Sequence, residues 1–480
     1  MLFNSALFIF AFTPAVILIF FSLGSLNYRS LAIGWLLIAS LAFYSWDDPL
    51  KLLTIILVSI AFNFAVGWAL MRRPSPWLLA VGIGGDLLLL GTFKYAGFLA
   101  DTISVTTGFL VPSPNIALPI GISFFTFTQI AFLVDAYRGE VQEYKPLHYG
   151  LFVTFFPHLV AGPIYHHKEI MPQFKRREIY KPYLSNVTLG LTWIAFGLAK
   201  KVLLADPLSQ YATPVFAAVA AGNPAGFVDS WIAAFSFALQ LYFDFSGYSD
   251  MAIGLGLLIG VKLPINFNSP YKAISLIDFW RRWHISLSRF LRDYLYIPLG
   301  GSRRGHSRRY LNLLITMLLG GLWHGAAWTF AVWGLLHGLG LLGNHLWRSI
   351  VAARLFTLPK PLAWAFTFIF VVVAWVPFRA DGIQATLGLW TSMAGFNGWL
   401  PEKSAVAGQI GMAVLWIGAM LTAATVGPNT QKVLSYPASM DIEQLRAPNL
   451  KIIGIAGFLF GAAVACIVTQ RQTEFLYFRF

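Results

Sequence analysis

Charge is scarce in this chain of 480 residues, with Asp, Glu, Lys and Arg together making up 11%, against roughly a quarter in a soluble domain. That scarcity excludes water as the main solvent. There is one cysteine, Cys466, inside the last apolar run, so a disulfide framework and a cysteine metal cluster are both excluded. Neither a G-x-S-x-G elbow nor a Walker A loop occurs, and no H-E-x-x-H or comparable ligand spacing is present. A covalent serine or cysteine intermediate and a bound metal have no support, and no permanently bound cofactor is expected. No period of 20–50 residues and no inverted pair of broken helices is visible, which argues against a transporter built from repeats. Nor does a polar block long enough to fold alone interrupt the apolar stretches between Leu7 and Val468. Residues 1–480 therefore read as one membrane-embedded domain.

What is abundant is apolar sequence, 57% of the chain. Spanning a bilayer as a helix takes roughly 20 mostly apolar residues. Candidate spans fall near 6–26, 31–46, 50–70, 77–99, 116–137, 187–205, 228–259, 311–323, 325–347, 362–378, 411–427 and 452–469. The fold class expected is an all-α polytopic membrane protein with about eleven or twelve transmembrane helices. The first run has no Lys or Arg before it and no A-x-A cleavage site after it, so it reads as a retained helix.

The net charge of +14 sits in short loops between apolar runs, a distribution expected of the positive-inside rule and not of a nucleic-acid binder. The basic groups are Arg72 and Arg73, then Lys168, Lys175, Arg176, Arg177 and Lys181, then Arg303, Arg304, Arg308 and Arg309, then Arg348, Arg354 and Lys360. All four are expected in the cytoplasm. The alternate loops at 100–115 and 206–227 contain no Lys or Arg, which places them and both termini outside, in the periplasm if the membrane is a bacterial inner membrane.

Two segments break the alternation. Residues 147–164 are apolar but flanked on both sides by sequence expected to be cytoplasmic, so a re-entrant element preserves the parity. Residues 271–300 carry too much charge to face lipid and are expected as a second buried, partly re-entrant element. Residues 311–347 must cross twice, yet as helix they reach only about 55 Å. Either a locally thin membrane region or a pair of short helices meeting near His324 resolves the conflict.

Candidate chemistry lies close to those irregularities. His324 sits in TMLLGGLWHGAAWTF, where Gly320, Gly321 and Gly325 let other backbones approach. An ionisable group at that depth is costly, and the glycines around it suggest a pocket. On helical spacing Arg281, His284, Ser288 and Arg292 fall on one face, beside an apolar stripe of Trp283, Leu287, Phe290 and Tyr294. Such a face is either an interfacial anchor in the headgroups or a cationic rim for an anionic donor such as a coenzyme A diphosphate, with His284 near the acceptor. Arg282 and Trp323 adjoin these residues and complete the candidate donor-binding set. Asp244 and Asp250, in the apolar stretch 240–260, need partners; the arginines of 281–292 are the candidates, and structural pairing outweighs acid–base work. With no activated serine or cysteine apparent, direct transfer remains, His324 taking a hydroxyl proton as that hydroxyl attacks a thioester.

Five ordered blocks, LPIGISFFTFTQIAFLVDAYRGE at 118–140, FFPHLVAGPI at 155–164, QLYFDFSGYSDMAIGLGL at 240–257, DFWRRWHISLSRFLRDYLYIPLGG at 278–301 and NLLITMLLGGLWHGAAWTF at 312–330, resemble the membrane-bound O-acyltransferases. Within that family the resemblance is to the bacterial branch of alginate O-acetyltransferases with its cellulose-acetylating and teichoic-acid D-alanylating relatives, and it is best over about 118–347. The resemblance implies that His324 is the catalytic histidine and His284 the second polar position. It also implies a helical ring around a thin centre with a tunnel, and acetyl-CoA or another acyl thioester as donor substrate. Expected partners are periplasmic acetyl-transfer proteins, a polysaccharide synthase or export complex, and membrane lipids, with no nucleic acid. The implied activity is O-acetylation of an exopolysaccharide such as alginate or cellulose. A transporter or flippase for a lipid-linked sugar or polymer, and a channel or structural subunit, are the competing readings.

Overall fold

The computed structural model describes all residues except 115, 142–143, 304, 351–357, 400–405, 437–441, 470–474 and 477–480. Arg304 and Arg354, two of the residues used for orientation, lie outside the described residues. Among those described, regular structure is entirely helical. Six helices are long and apolar enough to cross a membrane, namely Phe8–Ser25, Pro49–Arg72, Pro76–Thr107, Leu184–Ala220, Lys360–Arg379 and Leu450–Thr469. Shorter apolar helices are Arg29–Tyr44, Ile122–Tyr137 and Ile410–Thr425. The protein is a polytopic, all-helical membrane protein.

Two boundaries differ from expectation. The span near 187–205 continues to Ala220 through a π-helical segment at Lys200–Ala205, so the stretch 206–227 is mostly helix and only its end is a turn. Lack of Lys and Arg marks a side of the membrane and not a break in the backbone. The segment 100–115 is likewise helical as far as Thr107.

The chain divides into two compact units, each assembled from separate stretches. The first comprises Met1–Leu198, Tyr248–Ile265 and the described residues after Val433. Its apolar helices are tied by a buried polar network in which Asn63 donates to Asp86 at 2.7 Å, Gln129 to the Ser59 hydroxyl at 2.8 Å and Tyr149 to Gln129 at 3.2 Å. Residues 147–164 form two short helices, Pro146–Thr154 and Phe156–Leu159, separated at Phe155 and buried from Tyr149 onward. Neither is long enough to span. Within the second, His158 is held by Pro163 O at 3.1 Å and the Thr128 hydroxyl at 3.3 Å. Asp250 is buried in this unit.

The second unit comprises Ala199–Gly247 and Asn266–Val433. Its centre is a hairpin of two helices, His306–His324 and Trp328–Ile350, joined by three residues directly after His324. The two helices meet near His324, but at 19 and 23 residues they are not short, because they begin before 311 and end after 347. The contact is backbone to backbone: a Cβ at Gly321 would stand 2.3 Å from Phe330 O, and one at Gly334 would stand 2.4 Å from Met317 O. Small residues are what permit such an approach within a membrane. Lys360–Arg379 packs beside the hairpin and supplies Phe378 and Trp375 to the same core.

Candidate active site

Ser275 opens the segment that carries His284: its hydroxyl accepts from the backbone N–H of Asp278 at 3.2 Å and caps the helix Leu276–Trp280. That helix stops after five residues. Arg281–Trp283 turn, and His284 takes a left-handed backbone with φ of +42° before the next helix, Ile285–Leu291, begins. A non-glycine residue there is strained and persists only where its surroundings hold it. They do so here, because Asn266 O accepts from Ile285 N and Asn268 N donates to Arg282 O, both at 2.9 Å.

The turn corrects the single helical face expected for Arg281, His284, Ser288 and Arg292. His284 is 1% exposed whereas Arg281 and Arg292 are exposed, since the change of direction sends the imidazole inward and the guanidiniums outward. Ser288 is half-buried and its hydroxyl donates to Trp283 O at 3.4 Å. Arg282 pairs with Asp278 at 2.8 Å, and Arg292 makes two bonds to Asp293 at 2.7 and 3.0 Å. The cationic edge extends to Lys272, whose ammonium is lowered from the usual lysine value first by partial burial and then by repulsion from Lys432 and Arg282.

His324 ends the first hairpin helix, 5% exposed. Rings enclose it: Trp323 at 4.9 Å, Trp333 at 5.1 Å, Phe378 at 5.1 Å and His284 at 6.5 Å between centroids. A Cβ at Gly325 would fall 2.0 Å from the Phe330 ring, so the residue after the histidine can only be glycine without rearrangement. The structure thus brings His284, Trp323 and His324 together and leaves Arg281, Arg282 and Arg292 outside that cluster.

Asp244 is paired, and one of its partners is a cation that sequence reading did not name. This is Lys201, at 2.7 Å, and Lys201 also meets Asp206 at 2.8 Å, with Lys201 and Asp244 each 1% exposed. The lysine comes from the π-helical segment Lys200–Ala205 and was not among the partners expected for Asp244. Lys201, beside Lys200 inside a long apolar helix, is itself an intramembrane ionisable residue, and that signal was available in the sequence. His337 was also missed. It is fully buried against Trp333 at 4.8 Å, and its Nδ1 accepts from the Trp280 indole at 3.3 Å.

Buried histidines packed among tryptophans in an all-helical membrane protein differ from the lining of a water-filled pore, which would be exposed polar groups. Residues 37–380 match the membrane-bound O-acyltransferase family. Over 429 residues the chain is 43% identical to the "Peptidoglycan O-acetyltransferase" of Helicobacter pylori, covering 83% of this chain and 80% of that protein. It is 39% identical over 506 aligned positions to the "Probable alginate O-acetylase AlgI" of Pseudomonas putida, covering 100% of both. A more distant likeness, 28% over 236 residues, covers 48% of this chain and 59% of the "Teichoic acid D-alanyltransferase" of Bacillus subtilis. The chain belongs to the membrane-bound O-acyltransferase family and is an O-acyltransferase.

Proposed function

We propose that this protein moves an acetyl group from a cytoplasmic thioester, acetyl-CoA, across or within a bacterial inner membrane for O-acetylation of an exopolysaccharide such as alginate or cellulose. The observation that carries the reading is the buried pair His284 and His324, 6.5 Å between ring centroids, in a chain related along its length to proteins named for O-acetyl transfer. His324 takes the proton of the attacking hydroxyl as its oxygen bonds to the thioester carbonyl. The carbon–sulfur bond then breaks, and the same proton goes to the leaving thiolate. No acyl-enzyme intervenes.

Trp323 and Ser288 line the acyl path, and Arg281, Arg282 and Arg292 hold the diphosphate of the donor at the cytoplasmic face. The four basic loop groups lie on that same side, and both termini face the periplasm. A donor inside and a polymer outside call for periplasmic acetyl-transfer proteins and a polysaccharide synthase or export complex as partners. Asp244 serves structure through Lys201, and Asp250 is assigned the same role.

His324→Ala is the test. Polymer acetylation in cells expressing the variant is expected to fall by about two orders of magnitude or more, with membrane expression and detergent-extracted folding unchanged. Acetylation near the wild-type level would remove His324 from the reaction.

A further inference from the structure

The contacts around His284 specify more than its position. Asn266, His284 and Ser286 are all buried, at 1%, 1% and 2% exposure. The Oδ1 atom of Asn266 receives the backbone N–H of Ser286 at 3.2 Å and the Ser286 hydroxyl at 2.9 Å, and it lies 3.1 Å from Nδ1 of His284. A backbone N–H can only donate. The Asn266 atom facing Ser286 is therefore its carbonyl oxygen, which settles the amide orientation that is otherwise ambiguous. A carbonyl oxygen can only accept, so Nδ1 of His284 must carry a proton. In the neutral ring the lone pair then resides on Nε2.

We propose that Asn266 is a positioning residue for acyl transfer, which fixes His284 in the Nδ1–H tautomer and makes Nε2 the proton-accepting nitrogen of that ring. This rests on the acyl-transfer reading above and assigns a division of labour within it. His324 becomes an imidazolium when it takes the hydroxyl proton. A neutral ring presenting a lone pair beside it stabilises that cation, and does so only while His284 is itself unprotonated. The rings facing His284 are Phe245 at 4.8 Å, Trp323 at 6.4 Å and His324 at 6.5 Å, and of these only His324 titrates. The same asparagine braces the left-handed turn through its backbone carbonyl, which accepts from Ile285 N at 2.9 Å. One residue thus holds both the strained backbone and the tautomer of the histidine.

Asn266→Asp and Asn266→Leu separate this role from a purely structural one. A carboxylate at 266 still accepts from Ser286 and His284 but favours imidazolium, so the acidic limb of kcat/KM is expected to move to higher pH by about one unit. Leucine accepts nothing: kcat is expected to fall by about tenfold or more with KM little changed. The direct reading is nitrogen-15 magnetic resonance of histidine-labelled protein, with His284 assigned by its loss in His284→Gln. Wild type should show a protonated Nδ1 and an unprotonated Nε2, and Asn266→Leu a mixture. An unprotonated Nδ1 in the wild type, or a pH profile of Asn266→Asp superimposable on wild type, overturns the proposal. Failure of the wild type to transfer acetyl at all would instead sink the parent reading, and leaves the tautomer measurement to stand or fall alone.

Discussion

The two histidines are held by opposite means. His324 rides at the end of a helix whose place is set by contact of backbones, glycine against carbonyl, with rings closing the remaining sides. His284 sits on a strained turn between two short helices, and hydrogen bonds from Asn266 set its place. Packing and polar bonding fail differently. A packed position rejects added volume and is indifferent to charge elsewhere, whereas a polar clamp tolerates shape but not the loss of a donor or acceptor. The pair of anchors keeps two ionisable rings 6.5 Å apart with no metal or disulfide invoked.

The comparison extends to the other polar anchor, Lys201 with Asp206 and Asp244, and there it can be broken most severely. Lys201→Ala removes the buried cation that Asp206 and Asp244 share and is expected to cost about 3–5 kcal/mol, read as a lower thermal midpoint of the purified protein in detergent. Lys201→Met combined with Asp244→Leu should recover much of that loss. A double variant no better than the single would show that the charges were not what held this anchor.

On the packed side, Gly334→Ala is expected to cost roughly 1–3 kcal/mol by overpacking and to depress acetylation as the hairpin shifts His324. Gly343→Ala on the same helix meets nothing within 4 Å and is the control. Equal midpoints for the two would refute close backbone contact as the restraint. The smallest effects are expected at the exposed rim: Arg281→Ala and Arg292→Ala should change stability by about 0.5 kcal/mol or less while weakening titrated acetyl-CoA several-fold. Unchanged affinity in both would favour the headgroup-anchor reading of that segment.

Much of this was legible before any coordinates. His324 announced itself as an ionisable residue in a glycine-rich apolar run, and the hairpin beneath it followed from loop charge and helix length. His284 was found, but not its backbone: a left-handed histidine has no local signature, and the periodicity of 281–292 reads as one helix because the clamp that breaks it comes from Asn266. A contact across that many residues belongs to tertiary structure. Asp244 was expected to be paired, and Lys201 went unnamed as a partner because it lies inside the span read at 187–205, in what proves to be a π-helical segment. His337 looked like any other core histidine, and only burial against Trp333 and a bond from Trp280 set it apart.

The hairpin that positions His324 also bears on how the protein is made. Neither His306–His324 nor Trp328–Ile350 is among the six helices apolar enough to qualify as a span by itself, since one begins with Arg308 and Arg309 and the other carries His337, Asn344 and His345. Each alone would pay heavily to leave the aqueous channel of the insertion machinery. Docked through their glycines, they join Arg309 to His345 at 3.0 Å, and entry into the lipid is less costly for the two together. The reaction site is therefore not committed to the bilayer until the second helix has been synthesised, which sets the earliest moment in translation at which His324 can meet its neighbours.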